Sequence, residues 1–236
     1  MTLKCLGTGS SGNCYSLTDK EGNILLLDAG INVKDIKIGI DFQISKVKGA
    51  LLSHCHLDHA KAARDLEKMG VKIVAPYIAK PKDSYFGGFM VRYFSLTNGD
   101  NTYVHSNADG SECPIFGYLI LHDNEPLRML YITDCEFVKW KFSTINTLLL
   151  GIDYSDELLA KESNESKRRH CLNGHMSLNT GIEFIKTTDR DKSLKNIIIG
   201  HLSGDNADGD MFKAEIQKVT DSNVYIAERG NTYQLM

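Results

Sequence analysis

The sequence predicts an α/β (α+β) fold in which two packed β-sheets carry helices on their outer sides. Three observations lead there. Short β-prone runs crowd the first half of the chain, runs such as Leu148–Leu150 and Ile197–Ile199 read as buried strands, and helical periodicity falls between late strands without the regular alternation of a βαβ wind.

Taken in order, strands are expected at 2–6, 14–19, 23–30, 49–53, 71–75 and 89–94, each an apolar or alternating run bounded by turn residues. A helix is expected over 60–69, where Ala60, Ala63, Leu66 and Met69 recur near the helical period and Gly70 supplies the stop. "FGYLIL" from Phe116 and "LRMLYIT" from Leu127 flank "HDNEP" and read as a hairpin, with His122 in its turn an ordinary capped or surface histidine. "INTLLLGIDYS" from Ile145 and "LKNIIIGH" from Leu194 add two buried strands. Helices are expected over 155–162, 177–187 and 207–219, the second capped by Ser177.

The 236 residues, 42% of them hydrophobic, are enough to bury a core, and neither a repeat nor a Pro-rich linker divides them. One domain spanning 1–236 is expected. With 27 basic and 30 acidic residues, the net charge of −3 gives no general attraction to nucleic acid or anionic lipid, so any polyanion site must be local. The apolar runs are far shorter than a membrane span and "MTLKCLGTG" lacks the long apolar stretch of a signal peptide, so a cytoplasmic protein without membrane attachment is expected. The six cysteines, Cys5, Cys14, Cys55, Cys113, Cys135 and Cys171, form no CxxC pair and read as reduced, mostly buried thiols. Cys55 should point away from its ligand-type neighbours in an extended segment.

"GTGSSG", Gly7 to Gly12, satisfies GxGxxG after a strand, but the chain continues as strand and hairpin and leaves no room for a crossover helix. The glycines read instead as a tight loop whose backbone N–H groups face a site. Ser10, Ser11 and Asn13 of that loop are candidate substrate contacts.

The densest chemical signal is "LLSHCHLDHA", residues 51–60. His54 and His56, two apart in an extended stretch, can point one way, while Asp58 and His59 fall where a helix begins and turn toward a second position. Such a split suits two metals. Further ligand-type residues end other strands: His105 after "YV", Asp134 after "LYIT", His201 after "IIIG". Two cations roughly 3.5–4 Å apart can share a hydroxide, lower its pKa and stabilise charge on a phosphoryl or acyl oxygen. Imidazole and carboxylate donors suit zinc, manganese or iron without choosing among them.

In these residues the chain resembles the metallo-β-lactamase superfamily, whose HxHxDH stands here as His54 to His59, with Asp28 in "LLLDAG", then His105, Asp134 and His201 in the family's order. The resemblance implies an αββα sandwich of two mixed sheets. It implies one metal on His54, His56 and His105, a second on Asp58, His59 and His201, Asp134 between them, and Asp28 orienting the ligand loop without touching metal. "LGTGSSGNCY", "GHMS" around His175 and "GHLS" around His201 look more narrowly like the YycJ (WalJ) branch, associated with exonuclease action on DNA. Two features depart from that branch: residues 106–114 lengthen the spacing before "GYLI", and "GIDYS" stands where a Glu/Asn-rich motif is expected.

His175 reads either as a loop histidine before a helix or as a phosphate contact and proton donor to the leaving oxygen. Asp153 and Tyr154 end a strand near the same rim, where substrate contact and ordinary termination are both compatible. "KRRH", Lys167 to His170, could track a nucleic-acid backbone or be a solvated helix face. The expected activity is a two-metal phosphodiesterase of nuclease type acting on DNA, with Asp58, Asp134 and His175 in the chemistry. A small cyclic nucleotide is the rival substrate, and a metal-stabilised binding module the rival without catalysis. The 106–114 segment could shape a pocket, a lid or a homodimer contact.

Overall fold

A computed structural model of the protein describes residues 1–79, 84–96, 111, 113–172, 174–204 and 206–235. The first sheet is built from β1 (Thr2–Gly7), β2 (Cys14–Thr18), β3 (Ile24–Leu27), β4 (Val47–Leu51) and β5 (Ile73–Val74). The second contains β6 (Ser84–Phe86), β7 (Phe89–Ser95), β8 (Phe116–His122), β9 (Arg128–Ile132), β10 (Thr147–Gly151), β11 (Asn196–Gly200) and β12 (Asn223–Ile226). A last strand, β13 (Thr232–Gln234), returns to the first sheet beside β1, giving the order β13-β1-β2-β3-β4-β5 against β12-β11-β10-β9-β8-β7-β6. Both sheets are mixed: β1 to β3 are antiparallel and β3 to β5 parallel, while β6 to β9 are antiparallel and β9 to β12 parallel.

Alternating side chains divide each strand between two apolar layers. Leu25, Leu27 and Leu51 face Tyr118, Met129, Leu149 and Ile198 between the sheets. Leu26, Ala50 and Leu52 turn outward and pack with Ile36 of α1 (Val33–Gly39), while Leu66, in a helix Ala63–Lys68, seals the same layer. On the far side, Leu148, Leu150, Ile197 and Ile199 are covered by helices Leu178–Thr188 and Gly209–Gln217 through Phe184, Ile185, Phe212 and Ile216. The continuous apolar runs of β3, β10 and β11 follow from burial on both faces. This is the expected αββα sandwich.

Several elements differ from expectation. The helix expected at 60–69 is two short ones, α2 (Leu57–Ala60) and α3 (Ala63–Lys68). The cause is docking onto the turn after β3: Ala29 N–H donates to His59 O and Ala62 N–H to Ala29 O, which draws the Ala62 amide out of the helical ladder. Gly30 makes this contact possible, since a Cβ there would lie 1.6 Å from the Asp58 carbonyl oxygen. Helices α4 (Asp156–Leu159), α5 (Glu165–Leu172), α6 (Leu178–Thr188) and α7 (Gly209–Gln217) are the remaining α-helices among the described residues, and α4 is shorter than expected. Unforeseen are α1, β6, β12 and β13, each too short to display a period. Among the described residues, no helix is long and apolar enough to cross a membrane.

Candidate metal centre

Parallel strands β3 and β4, and β9 to β11, run toward one rim of the sandwich, and the residues just past their ends are Asp28, Ser53–His54, Asp134, Asp153 and His201. Crevices beyond the carboxyl ends of parallel strands are the habitual binding places of such sheets. Asp28, Asp134 and His201 all have left-handed backbones, with φ of 56°, 48° and 58°. Non-glycine residues held there at three strand ends mark a rim whose side-chain directions the fold enforces.

Behind the rim, His54, His59 and His201 are fixed through Nδ1. Asp28, wholly buried, accepts from Ser53 N–H (2.7 Å), Ser53 Oγ–H (2.9 Å), His59 Nδ1 (2.6 Å) and the Tyr131 hydroxyl. Because the one hydroxyl hydrogen of Ser53 goes to Asp28, His54 Nδ1 must donate to Ser53 Oγ, at 3.0 Å. That tautomer aims the His54 Nε2 lone pair at Asp134 Oδ2, 3.6 Å away. Asp153 Oδ1 receives His201 Nδ1 at 2.5 Å and lies 3.0 Å from His175 Nδ1, so one carboxylate faces two rings. Carboxylates and hydroxyls behind histidine are what set ligand direction at metal sites.

In front of the rings, Asp134 is the meeting point. Its Oδ2 is 2.9 Å from His59 Nε2 and its Oδ1 3.2 Å from His201 Nε2; Asp58 Oδ2 lies 3.5 Å from the first nitrogen and 3.9 Å from the second. His201 Nε2 is buried yet makes no hydrogen bond among the described residues. Asp58, His59, Asp134 and His201 thus converge as four donors, and His54 and His56 form a second group beside them. Lone pairs and carboxylates turned inward on one another fit a divalent cation, and the donor set of nitrogen and oxygen is one such ions accept. His105 lies outside the described residues.

The electrostatics express the same crowding. Burial acts to raise Asp134, but His201 and His59 beside it hold its carboxyl well below the usual range. Burial acts to lower His59, and Asp134 and Asp28 outweigh it and carry the ring from 6.5 to about 10. Without metal, therefore, His59 adds stability that is complete below about pH 6.5 and is lost as the pH climbs through about 10. Thermal unfolding of chelator-stripped protein should show Tm falling across that window by on the order of several °C, at ~2–4 °C per kcal/mol. Zinc-loaded protein, in which the cation replaces the proton, should hold its Tm. A stripped protein indifferent to pH there would refute the account of His59.

A cavity of about 190 Å³ opens over the rim, lined among the described residues by Ser10, His56, Asp58, Asp134, Asp153, Cys171, His175, His201, Leu202 and Ser203. Of the substrate contacts expected from sequence, Ser10, Asp153 and His175 reach it. Asn13 is buried and serves the loop, accepting from Gly9 N–H and placing its amide nitrogen 3.1 Å from His59 Nε2. The exposed Ser11 lies 3.5 Å from the Thr8 carbonyl, and Tyr154 packs with Leu159 and Cys171. Sequence reasoning missed Ser53, Tyr131 and the paired duty of Asp153, which no local spacing signals. It also left unremarked that Cys113 joins His54 and His56.

Two mixed sheets under helices, with imidazoles and carboxylates gathered at their common rim, define the architecture of a metal-dependent hydrolase. The chain belongs to the metallo-beta-lactamase superfamily, whose model matches residues 7–141, more than half its length. None of the curated protein sequences matches it. Among solved structures it is similar to the metallo-beta-lactamase fold protein YhfI from Bacillus subtilis, at 14% identity and a TM-score of 0.66 over 99% of both chains. It is similar to yeast PDE1, at 12% and 0.64 over 98% of both, and to the short form of human tRNase Z, at 14% and 0.63 over 100% of both. At such identities the likeness is one of fold.

Proposed function

We propose that the protein is a metal-dependent phosphodiesterase that degrades DNA from an end, as an exonuclease of the YycJ/WalJ-like branch. The observation that carries the reading is His175, which lines the same cavity as Asp58 and Asp134 and shares Asp153 with His201. Burial acts to lower its pKa, but Asp153 outweighs this and raises it, which favours the proton-carrying ring that a general acid needs. His54, His56, Asp58, His59 and His201 would hold two divalent cations, zinc or manganese, with Asp134 between them. Such ions, when bound, supply charge stabilisation and a water of lowered pKa. Asp58 and Asp134 position the attacking water at phosphorus, its own proton passing to bulk solvent, and His175 passes its proton to the leaving oxygen as the P–O bond breaks. Asp153 holds the ring for that transfer. Ser10, exposed at the cavity, is placed to donate to a phosphate oxygen.

Two observations weigh on the substrate. Cys171 lines the cavity, and in the same helix α5 the exposed Arg168 lies three residues earlier, on the side where it can meet a phosphate backbone leaving the site. Against this, about 190 Å³ is less than the ~300–1,000 Å³ of drug-sized ligand sites and admits a phosphoryl group with little of its substituents. A cyclic nucleotide is the second reading, since the net charge of −3 gives no general attraction to a polyanion. Manganese-loaded and zinc-loaded protein should be assayed on duplex DNA labelled at the 5′ or the 3′ end and on a panel of cyclic nucleotides, with His56→Ala as control. Progressive loss of one DNA label, absent in the variant, is expected. Turnover of a cyclic nucleotide alone would overturn the DNA reading, and turnover of neither would overturn the phosphodiesterase.

A further inference from the structure

We infer that Cys113 is a metal ligand, completing with His54 and His56 a set of two imidazoles and one thiolate at the first metal position. The backbone puts it there. Phe116 N–H donates to Ser53 O at 3.0 Å and Leu96 N–H to Ile115 O at 2.9 Å, which clamps the stretch leading into β8 against the loop that carries both histidines. Cys113, three residues before Phe116, is 1% exposed, and its sulfur and one nitrogen of each ring lie within 4.8 Å of one another. A buried thiol in apolar surroundings would be an inert packing group. Here the sulfur faces two ring nitrogens, one of them in a ring oriented by the Ser53–Asp28 relay.

Cys55 is the natural competitor, since it sits between the histidines and its sulfur is 3.5 Å from that of Cys113. It is exposed, however, and the convergent group contains Cys113 in its place. His105, the third ligand that the family resemblance implies, is the other competitor. The distinction has chemical consequences. Thiolate is a soft donor that selects zinc, cobalt or iron over manganese and magnesium, whereas Asp58 and Asp134 make the second position harder. The two positions should therefore differ in metal preference, the first retaining zinc when the second exchanges to manganese.

The inference rests on the functional reading only in requiring that the centre bind metal, and its test reads coordination, so failure to cleave DNA would leave it standing. Chelator-stripped protein titrated with Co(II) should develop a near-ultraviolet thiolate-to-cobalt charge-transfer band. The band should persist in Cys55→Ser and in His105→Ala and vanish in Cys113→Ser, with zinc affinity at that position falling by about 10–100-fold or more. Cys113→His should restore stoichiometric cobalt binding without the band, which separates lost ligation from lost folding. Zinc-edge absorption of the unaltered protein needs no variant and should show a sulfur shell at about 2.3 Å. Absence of that shell, a band that survives Cys113→Ser, or one that disappears with Cys55→Ser would overturn the assignment.

Discussion

Replacing Asp134 by asparagine should lower turnover by at least ~10²–10³-fold, the loss associated with removing one preorganised charge-stabilising group, and should reduce bound metal below two ions per chain. The residue is 2% exposed and stands 2.9 Å from His59 Nε2, 3.2 Å from His201 Nε2 and 3.6 Å from His54 Nε2. One carboxylate therefore addresses all three nitrogens at once. Asparagine is the informative replacement because φ at this position is 48°, a conformation that asparagine tolerates and alanine does not. Loss of function in the asparagine variant therefore reports charge rather than backbone strain. Metal content by mass spectrometry and single-turnover cleavage check the two halves of the expectation. A variant that keeps both ions and wild-type rates would remove Asp134 from the centre. If unaltered protein binds DNA without ever cleaving it, and the asparagine variant binds it equally well, the binding-module reading replaces the enzyme.

The parts of this centre that could be read from sequence are those in which one short stretch holds the information. His54, His56, Asp58 and His59 are close in the chain, and the difference between extended and helical side-chain directions already splits them into two groups, a split reproduced where α2 begins after His56. Asp134 and His201 were legible because each follows an apolar run, and a strand with both faces buried delivers the residue after it to a rim. The sandwich itself follows from the doubly buried runs of β3, β10 and β11, whose alternate side chains require apolar material on both sides.

What stayed hidden depends on contacts between distant strands. Asp153 ends β10 as Asp134 ends β9, but whether such a carboxylate meets substrate, solvent or another ring is decided by the neighbouring strand, here β11 with His201. Tyr131 reaches Asp28 across the sheet interface, 103 residues apart, and nothing near either residue announces the pair. The break between α2 and α3 follows the same rule. The apolar period through Ala60, Ala63 and Leu66 is sound, yet backbone hydrogen bonds to Ala29 override it. Strands β12 and β13 are four and three residues long and are defined by their neighbours rather than by their own pattern.

Asp28→Ala should cost on the order of 3–5 kcal/mol, the range for leaving buried polar partners uncompensated, and at ~2–4 °C per kcal/mol should lower Tm by roughly 10 °C. Four donors from three residues, Ser53, His59 and Tyr131, end on this carboxylate in a wholly buried place, and alanine offers none of them an acceptor. Alanine also meets the left-handed backbone, φ 56°, without a side chain suited to it. Asp28→Asn relieves the backbone difficulty and keeps one acceptor oxygen, so it should fold better. It should still bind metal about 10–100-fold more weakly, because an amide that donates toward Ser53 or His59 breaks the relay that points His54 and His59 inward. The pair of variants separates two roles. A turn residue at a strand end would show the alanine loss of Tm with unchanged metal affinity in the asparagine variant, whereas an orienting carboxylate requires the affinity to fall even where the fold is retained.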